Sequence, residues 1–243
     1  MTNNINLTPL KVGFSPLQAL YDIGTLKYRE MLFAGFMLCT MMILCLHWKS
    51  GPVEIIASLT GVMCVFMVNM RKISNYLYGT INALLYGYLS YDAALYGDMS
   101  LNWLFFLPMQ FVGLWSWYKI MNRGTFGMQT TVKTYKLDVL DSLNLTFITF
   151  GVYAVISTCI LFSGGSQPLV DGATTTLSIL ATYLMIKGFR EQWLVWIGVN
   201  ILSIIMWWFN YQETGTGLAV LLMWSMFLIN SVYGAIKWWK TEN

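Results

Sequence analysis

Four side-chain amides, Asn82, Gln110, Asn200 and Asn230, each stand near the middle of a long apolar stretch. A polar group at such a position is costly without a partner, so it marks either a cavity or a contact between helices. For one amide alone, an interhelical hydrogen bond worth roughly 0.6 kcal/mol explains it as well as a cavity does; four at one depth favour a shared polar pocket. Aromatic residues accompany them at helical spacing. Trp193, Trp196, Asn200, Ser203 and Trp207 recur at i, i+3, i+7, i+10 and i+14, one stripe of a helix. Asn102, Phe106, Gln110, Gly113 and Trp117 share a second face, where Pro108 is placed to bend the helix and free a carbonyl near Gln110. Asn75, Tyr78 and Asn82 make a shorter third stripe. The chemistry this offers is recognition. Amides read donors and acceptors alike, and an indole face stacks on a ring and attracts a delocalised cation by roughly 0.5–2 kcal/mol per contact. Such a site suits a small, uncharged or cationic solute with an aromatic ring and amide and hydroxyl groups. Thr175, Ser178 and Thr182 could add hydroxyls, or could simply let helices pack closely. Trp and Tyr also populate the membrane interface. That reading fits Trp48, Trp238 and Trp239 and partly Trp193, but poorly Trp196, one turn from a mid-span Asn.

Bond-making chemistry lacks its residues. The single histidine, His47, falls at the end of an apolar run and outside the stripes, and there is no HxxxH or HExxH. Cys39, Cys45, Cys64 and Cys159 all lie in apolar segments without a CxxC pair, and read as reduced packing residues. No Walker loop is present. Neither a metal nor a cofactor is called for, and no catalytic residue is assigned. Asp92, Asp98, Asp171 and Glu213 sit at the ends of apolar runs rather than within them. Coupled transporters often carry intramembrane acids, so this points to passive movement, although backbone carbonyls can bind sodium without one. A retinal-type receptor would need a mid-span lysine, and Lys187 and Lys237 are at ends. A purely structural membrane protein, the rival from another class, would not need amides aligned at one depth.

The elements that must position these residues follow from the composition. The 243 residues are 57% hydrophobic and 10% charged, against about 25% charged in soluble domains. A globule of this size cannot hide so much apolar surface from water. The net charge of +3 is small and scattered, which argues against a nucleic-acid partner; the bilayer is the expected solvent. Eight helical spans are predicted, at 31–48, 53–70, 73–91, 100–118, 142–162, 169–186, 193–211 and 217–236, with a short interfacial helix at 14–21. The first thirty residues do not read as a cleaved signal, because Lys11 and Pro16 break the early apolar run. With the N-terminus in the cytoplasm, 13 of the 14 basic residues fall on the cytoplasmic side and only Lys49 outside. That is the positive-inside pattern, and it places both termini in the cytoplasm.

A shift of 118 residues aligns two halves: Asn82 with Asn200, Tyr78 with Trp196, Gly97 with Gly215, Lys119 with Lys237 and Lys72 with Arg190. The predicted organisation is an N-terminal segment with an extra span at 1–50, a first three-helix repeat at 51–121, a loop and linking span at 122–166, and a second repeat with the C-terminus at 167–243. A single linking span makes the repeats parallel, a transporter design whose site lies near midplane at the repeat interface.

The stretch from Glu191 to Asn200, with its WxxW pair, resembles the PnuC family of nicotinamide riboside transporters. So do Asn230-Ser231-Val232-Tyr233-Gly234 with Trp238, and Gln110 with Trp115-Ser116-Trp117-Tyr118; the likeness runs over about 52–240. The resemblance implies an all-α membrane fold of 3+1+3 helices like the SWEET transporters, in a homotrimer in the bacterial inner membrane. It implies facilitated diffusion of nicotinamide riboside, trapped by a cytoplasmic riboside kinase. It places Trp193, Trp196 and Asn200 at the vitamin, with Gln110 and Asn230 facing them; Asn82, Tyr78, Phe106 and Trp117 complete the candidate set from the stripes. Family relatives carry thiamine or riboflavin, the alternative substrates. The extra span at 31–48 departs from a seven-helix core.

Overall fold

In the computed structural model the described residues are 8–92, 99–121, 131–162, 168–214 and 218–240. Of some side chains within these stretches, those of Asp92, Asp171, Trp207 and Glu213 among them, nothing is described. Asp98, Gly97 and Gly215 lie outside the described residues altogether. The elements are α1 Thr8–Gly13, α2 Pro16–Gly24, α3 Tyr28–His47, α4 Pro52–Asn69, α5 Asn75–Asp92, a π-helical turn Leu101–Phe106 running into α6 Leu107–Met121, α7 Val139–Phe162, α8 Pro168–Lys187, α9 Gln192–Thr214 and α10 Leu218–Trp239. Each predicted span coincides with one of the long helices, within a few residues at either end.

Local chemistry explains the boundaries. Pro16 and Pro52 occupy first turns, where a missing N–H costs nothing. Ser15 accepts the amide of Gln18 to cap α2, and Glu30 and Glu54 reach back to the amides of Lys27 and Gly51 before α3 and α4. The π turn ends where Leu107 donates to the carbonyl of Asn102, five residues back. Pro108 lacks a donor and crowds the preceding turn, and a widened turn is one way a helix absorbs this.

The chain divides into two units, Met1–Lys133 and Thr134–Asn243. In the first, α4 and α5 form the central pair, with α3 against α4, and α6 and its π turn against α5. Phe66, Tyr76, Leu114 and Trp117 are fully buried there. In the second, α7 packs on α8, α8 on α9, and α9 on α10.

By length and composition α3, α4 and α7 are long and apolar enough to cross a membrane, and α9 carries a shorter apolar run, Gln192–Ile205. Only 6% of the apolar window of α7 is buried inside the protein. Phe147, Phe150 and Phe162 on that helix are all exposed, a surface that water would not tolerate and lipid would.

The two units repeat one turn in detail. After α4, Arg71 takes φ 58° while its amide donates to Val68 and that of Lys72 to Met67. After α8, Gly188 takes φ 78° while its amide donates to Met185 and that of Phe189 to Leu184. Both are Schellman closures, in which a left-handed residue ends the helix. Asn75 Nδ2 then donates to the carbonyl of Lys72 at 2.8 Å, and Gln192 Nε2 to that of Phe189 at 3.2 Å. The extended stretch before α7 meets each turn within its own unit: the amide of Val132 donates to Arg71 and the amide of Tyr135 to Gly188, at 3.0 and 2.9 Å.

These equivalences sit 117 residues apart, not the 118 read from the sequence. They make Tyr76 the counterpart of Trp193, and a shared aromatic corner confirms the pairing. Tyr76 meets Trp117 edge-on at 5.3 Å and lies over Gly113; Trp193 meets Trp238 edge-on at 5.8 Å and lies over Gly234. Between the helices that carry Trp117 and Trp238 the offset is therefore 121. The sequence pairs of Asn82 with Asn200 and Tyr78 with Trp196 are displaced by one residue, about 100° around a helix.

Candidate substrate-binding site

The candidate residues fall into two groups by unit. In the second, Asn200 on α9 is 2% exposed, and its Nδ2 donates to the hydroxyl of Ser231 on α10 at 2.8 Å. Asn230, the neighbour of that serine, is fully buried. Trp196, one turn before Asn200, is half-buried. Trp193 has a different environment. It is 2% exposed and packs on Trp238 and the backbone at Gly234, with its indole Nε1 unpartnered in the interior. The WxxW pair thus divides between a packed corner and a more accessible indole. Ser203, on the same stripe, is buried. Thr182 donates its hydroxyl to the carbonyl of Ser178 on its own helix at 2.7 Å, a bond that serves helix packing.

In the first unit, Asn82 on α5 donates through Nδ2 to the carbonyl of Ala57 on α4 at 2.8 Å. Asn200 instead bonds to α10, so the two amides are not equivalent. Their one-residue displacement from the corner register is the physical reason. Gln110 on α6 points its Oε1 to Gly79 on α5, where that oxygen is buried and unpartnered. Such an orphan acceptor is expensive and invites a donor. Trp117 is fully buried against Tyr76. Phe106 is half-buried, with its ring centroid 5.4 Å from that of Phe105. Tyr78 lines an open, almost wholly apolar groove of about 420 Å³ with Leu38, Cys39 and Met42 of α3 and Leu59, Thr60 and Met63 of α4. The structure thus gathers Trp196, Asn200 and Asn230 on one helix pair and Asn82 and Gln110 around another. It commits Trp193 and Trp117 to packing corners and turns Tyr78 toward α3.

Three positions that support or neighbour the candidate residues were not singled out by the sequence reading. Ser231 orients Asn200, and its place beside Asn230 was the available signal. Tyr76 supports Trp117, but one Tyr among 14 carries no mark. Asp22 is buried to 1%, although it stands in a stretch that reads as surface helix. All four cysteines are free. Of the charged groups outside the spans, Arg71 is perturbed: burial draws its guanidinium below the ordinary arginine value, and the charge of Glu30 opposes this.

Long apolar helices with exposed apolar flanks define a multi-pass membrane protein. Comparison with known proteins agrees. The family model described as "Nicotinamide mononucleotide transporter" matches residues 51–240. A protein named "Nicotinamide riboside transporter PnuC" from Neisseria mucosa is 44% identical over 188 residues, 76% of this chain and 71% of that one. A protein of the same name from Haemophilus influenzae is 37% identical over 185 residues, 76% of this chain and 78% of that one. The solved structure described as "Crystal structure of the Vitamin B3 transporter PnuC" matches with a TM-score of 0.83 at 37% identity, over 93% of this chain and 97% of that one. The chain belongs to this transporter family, and it is not an enzyme.

Proposed function

We propose that the chain imports nicotinamide riboside across the bacterial inner membrane by facilitated diffusion. The observation that carries this reading is the side-chain set on α9 and α10: a half-buried Trp196 beside buried Asn200 and Asn230, on the segment that resembles the riboside transporters. Trp196 stacks on the cationic pyridine ring. Asn200, Asn230, Gln110 and Asn82 bond the carboxamide and ribose, with Phe106 and Tyr78 bounding the site and Trp193 and Trp117 bracing it from their corners. None of these nine residues is cationic. A mononucleotide phosphate would want an Arg or Lys, so the riboside is favoured over the nucleotide.

In this reading eight spans cross the membrane as an extra helix, α3, and a 3+1+3 core, with both termini in the cytoplasm. Two parallel triplets alternate access around a midplane site. A cytoplasmic riboside kinase supplies the direction by trapping the product, and the protein works as a homotrimer. Titration of the purified protein by tryptophan fluorescence against nicotinamide riboside, nicotinamide mononucleotide, thiamine and riboflavin tests the substrate. Quenching by the riboside is expected. Quenching by thiamine or riboflavin alone moves the assignment to that vitamin, and none at all refutes the site.

A further inference from the structure

Residues 8–50 precede the stretch that the family model matches, residues 51–240, and pack against it. Helix α2 turns Leu17, Leu20 and Tyr21 outward, exposed by 77%, 65% and 53%. They lie on one stripe, the pattern of a helix resting in a membrane interface. Its opposite face buries Ala19 and Asp22. An acid 1% exposed is an unusual burial, because removing a carboxyl group from water is costly unless hydrogen bonds replace it. Here two do. Asp22 Oδ1 accepts Gln18 Nε2 at 2.9 Å, and Oδ2 accepts the backbone amide of Ser74 at 3.1 Å.

Ser74 is the residue just before α5. The amides of Asn75, Tyr76, Leu77 and Tyr78 close on carbonyls within the same turn, and the amide of Ser74 is the one that crosses to α2. The start of a helix is electropositive and carries spare donors, so an acid is well matched there. The first two turns of α5 bear Tyr76, which supports Trp117, and Tyr78; Asn82 follows one turn later. The N-terminal region is also held to the neighbouring helix α6: Phe14 packs its ring 5.4 Å from Phe111, and Gly13 abuts Leu114.

We infer that Asp22 is a positioning residue for transport: through the amide of Ser74 it fixes the start of α5, and with it the polar face that α5 presents to the solute. Residues ahead of the stretch matched by the family model thereby act on binding from the membrane interface. This rests on the proposed site for its ligand arm only.

The test compares Asp22→Ala, which removes both acceptors, with Asp22→Asn, which keeps an oxygen for Ser74. Full-length protein is examined in detergent and in liposomes by riboside titration, by uptake kinetics, by thermal melting and by hydrogen exchange at residues 74–78. Asp22→Ala is expected to speed exchange in that turn and to raise KM and Kd by roughly three- to tenfold, the loss of about one buried hydrogen bond. Asp22→Asn restores both to within about twofold. Unchanged exchange in Asp22→Ala overturns the proposal, as does faster exchange with unchanged KM and Kd, which would leave Asp22 a purely structural contact. Should Asp22→Ala not fold, Gln18→Ala loosens the same carboxyl group and is read the same way. A wild-type protein that ignores the riboside but binds thiamine or riboflavin sinks the substrate reading alone, and the variants are then read with that vitamin.

Discussion

The side-chain amide of Asn200 donates to the hydroxyl of Ser231 at 2.8 Å, tying α9 to α10 in the interior of the second unit. The bond fixes which way the carboxamide faces, and in the proposed site its oxygen accepts from the solute. Asn200→Ala is expected to weaken riboside binding by about 1–3 kcal/mol, roughly five- to 150-fold in Kd. Ser231→Ala frees the carboxamide to rotate and should cost less. Tryptophan fluorescence titration of both variants measures this, and equal or inverted losses would mean that Ser231 rather than Asn200 meets the solute.

Gly79 is where α5 makes room for Gln110. A Cβ there would stand 2.5 Å from Gln110 Oε1 and 2.9 Å from Cys64 Sγ. Gly79→Ala should therefore push the Gln110 carboxamide from its place and weaken binding about as much as Gln110→Ala does. The double variant should be no worse than either single one, because both act through one group. Additive losses in Kd would separate the two.

The aromatic corners predict stability effects instead. A methyl on Gly113 would lie 2.5 Å from the Tyr76 ring, and one on Gly234 would lie 2.7 Å from the Trp193 ring. Gly113→Ala and Gly234→Ala should each destabilise the protein by roughly 1–3 kcal/mol through overpacking. Gly35→Ala, where a Cβ meets nothing within 4 Å, should not. Melting temperatures in detergent decide this, and a neutral Gly234→Ala would mean that the Trp193 corner is loose.

Riboside uptake into liposomes should follow the solute gradient alone. Neither a proton ionophore nor replacement of sodium by potassium is expected to change the initial rate, since the mid-span stripes hold amides and no acid. Accumulation above the external concentration without a trapping enzyme would contradict facilitated diffusion.

The helices were legible because spans of apolar residues are continuous and the basic residues sort to alternate ends. Lys72, Lys119 and Lys187 bracketed helices that fold where they were expected. The family was legible from Trp193, Trp196, Asn200 and the segment around Asn230. Register was not. A one-residue difference in repeat offset leaves a similarity in residue type almost unchanged, yet turns a side chain by about 100°, so Asn82 and Asn200 looked equivalent while bonding to different neighbours. Trp193 and Trp117 looked like free indoles because a glycine's role as a seat for a ring, at Gly234 and Gly113, shows only once two helices meet. Asp22 was hidden for a similar reason. Its partner, the amide of Ser74, lies 52 residues away and has no side-chain signature.

Between Tyr76 and Trp117 the chain runs 41 residues, and between Trp193 and Trp238 it runs 45. Both corners clasp a hairpin at the same end, so the surplus of four residues must be absorbed toward the opposite end. Four residues are close to one full turn of helix and bring a side chain back to within about 40° of its first bearing. A surplus of that size keeps the same residues pointing inward in each hairpin, whereas a surplus of two would have faced them the other way. The inequality between the two hairpins is therefore of a size that leaves the inward-facing stripe of each unchanged.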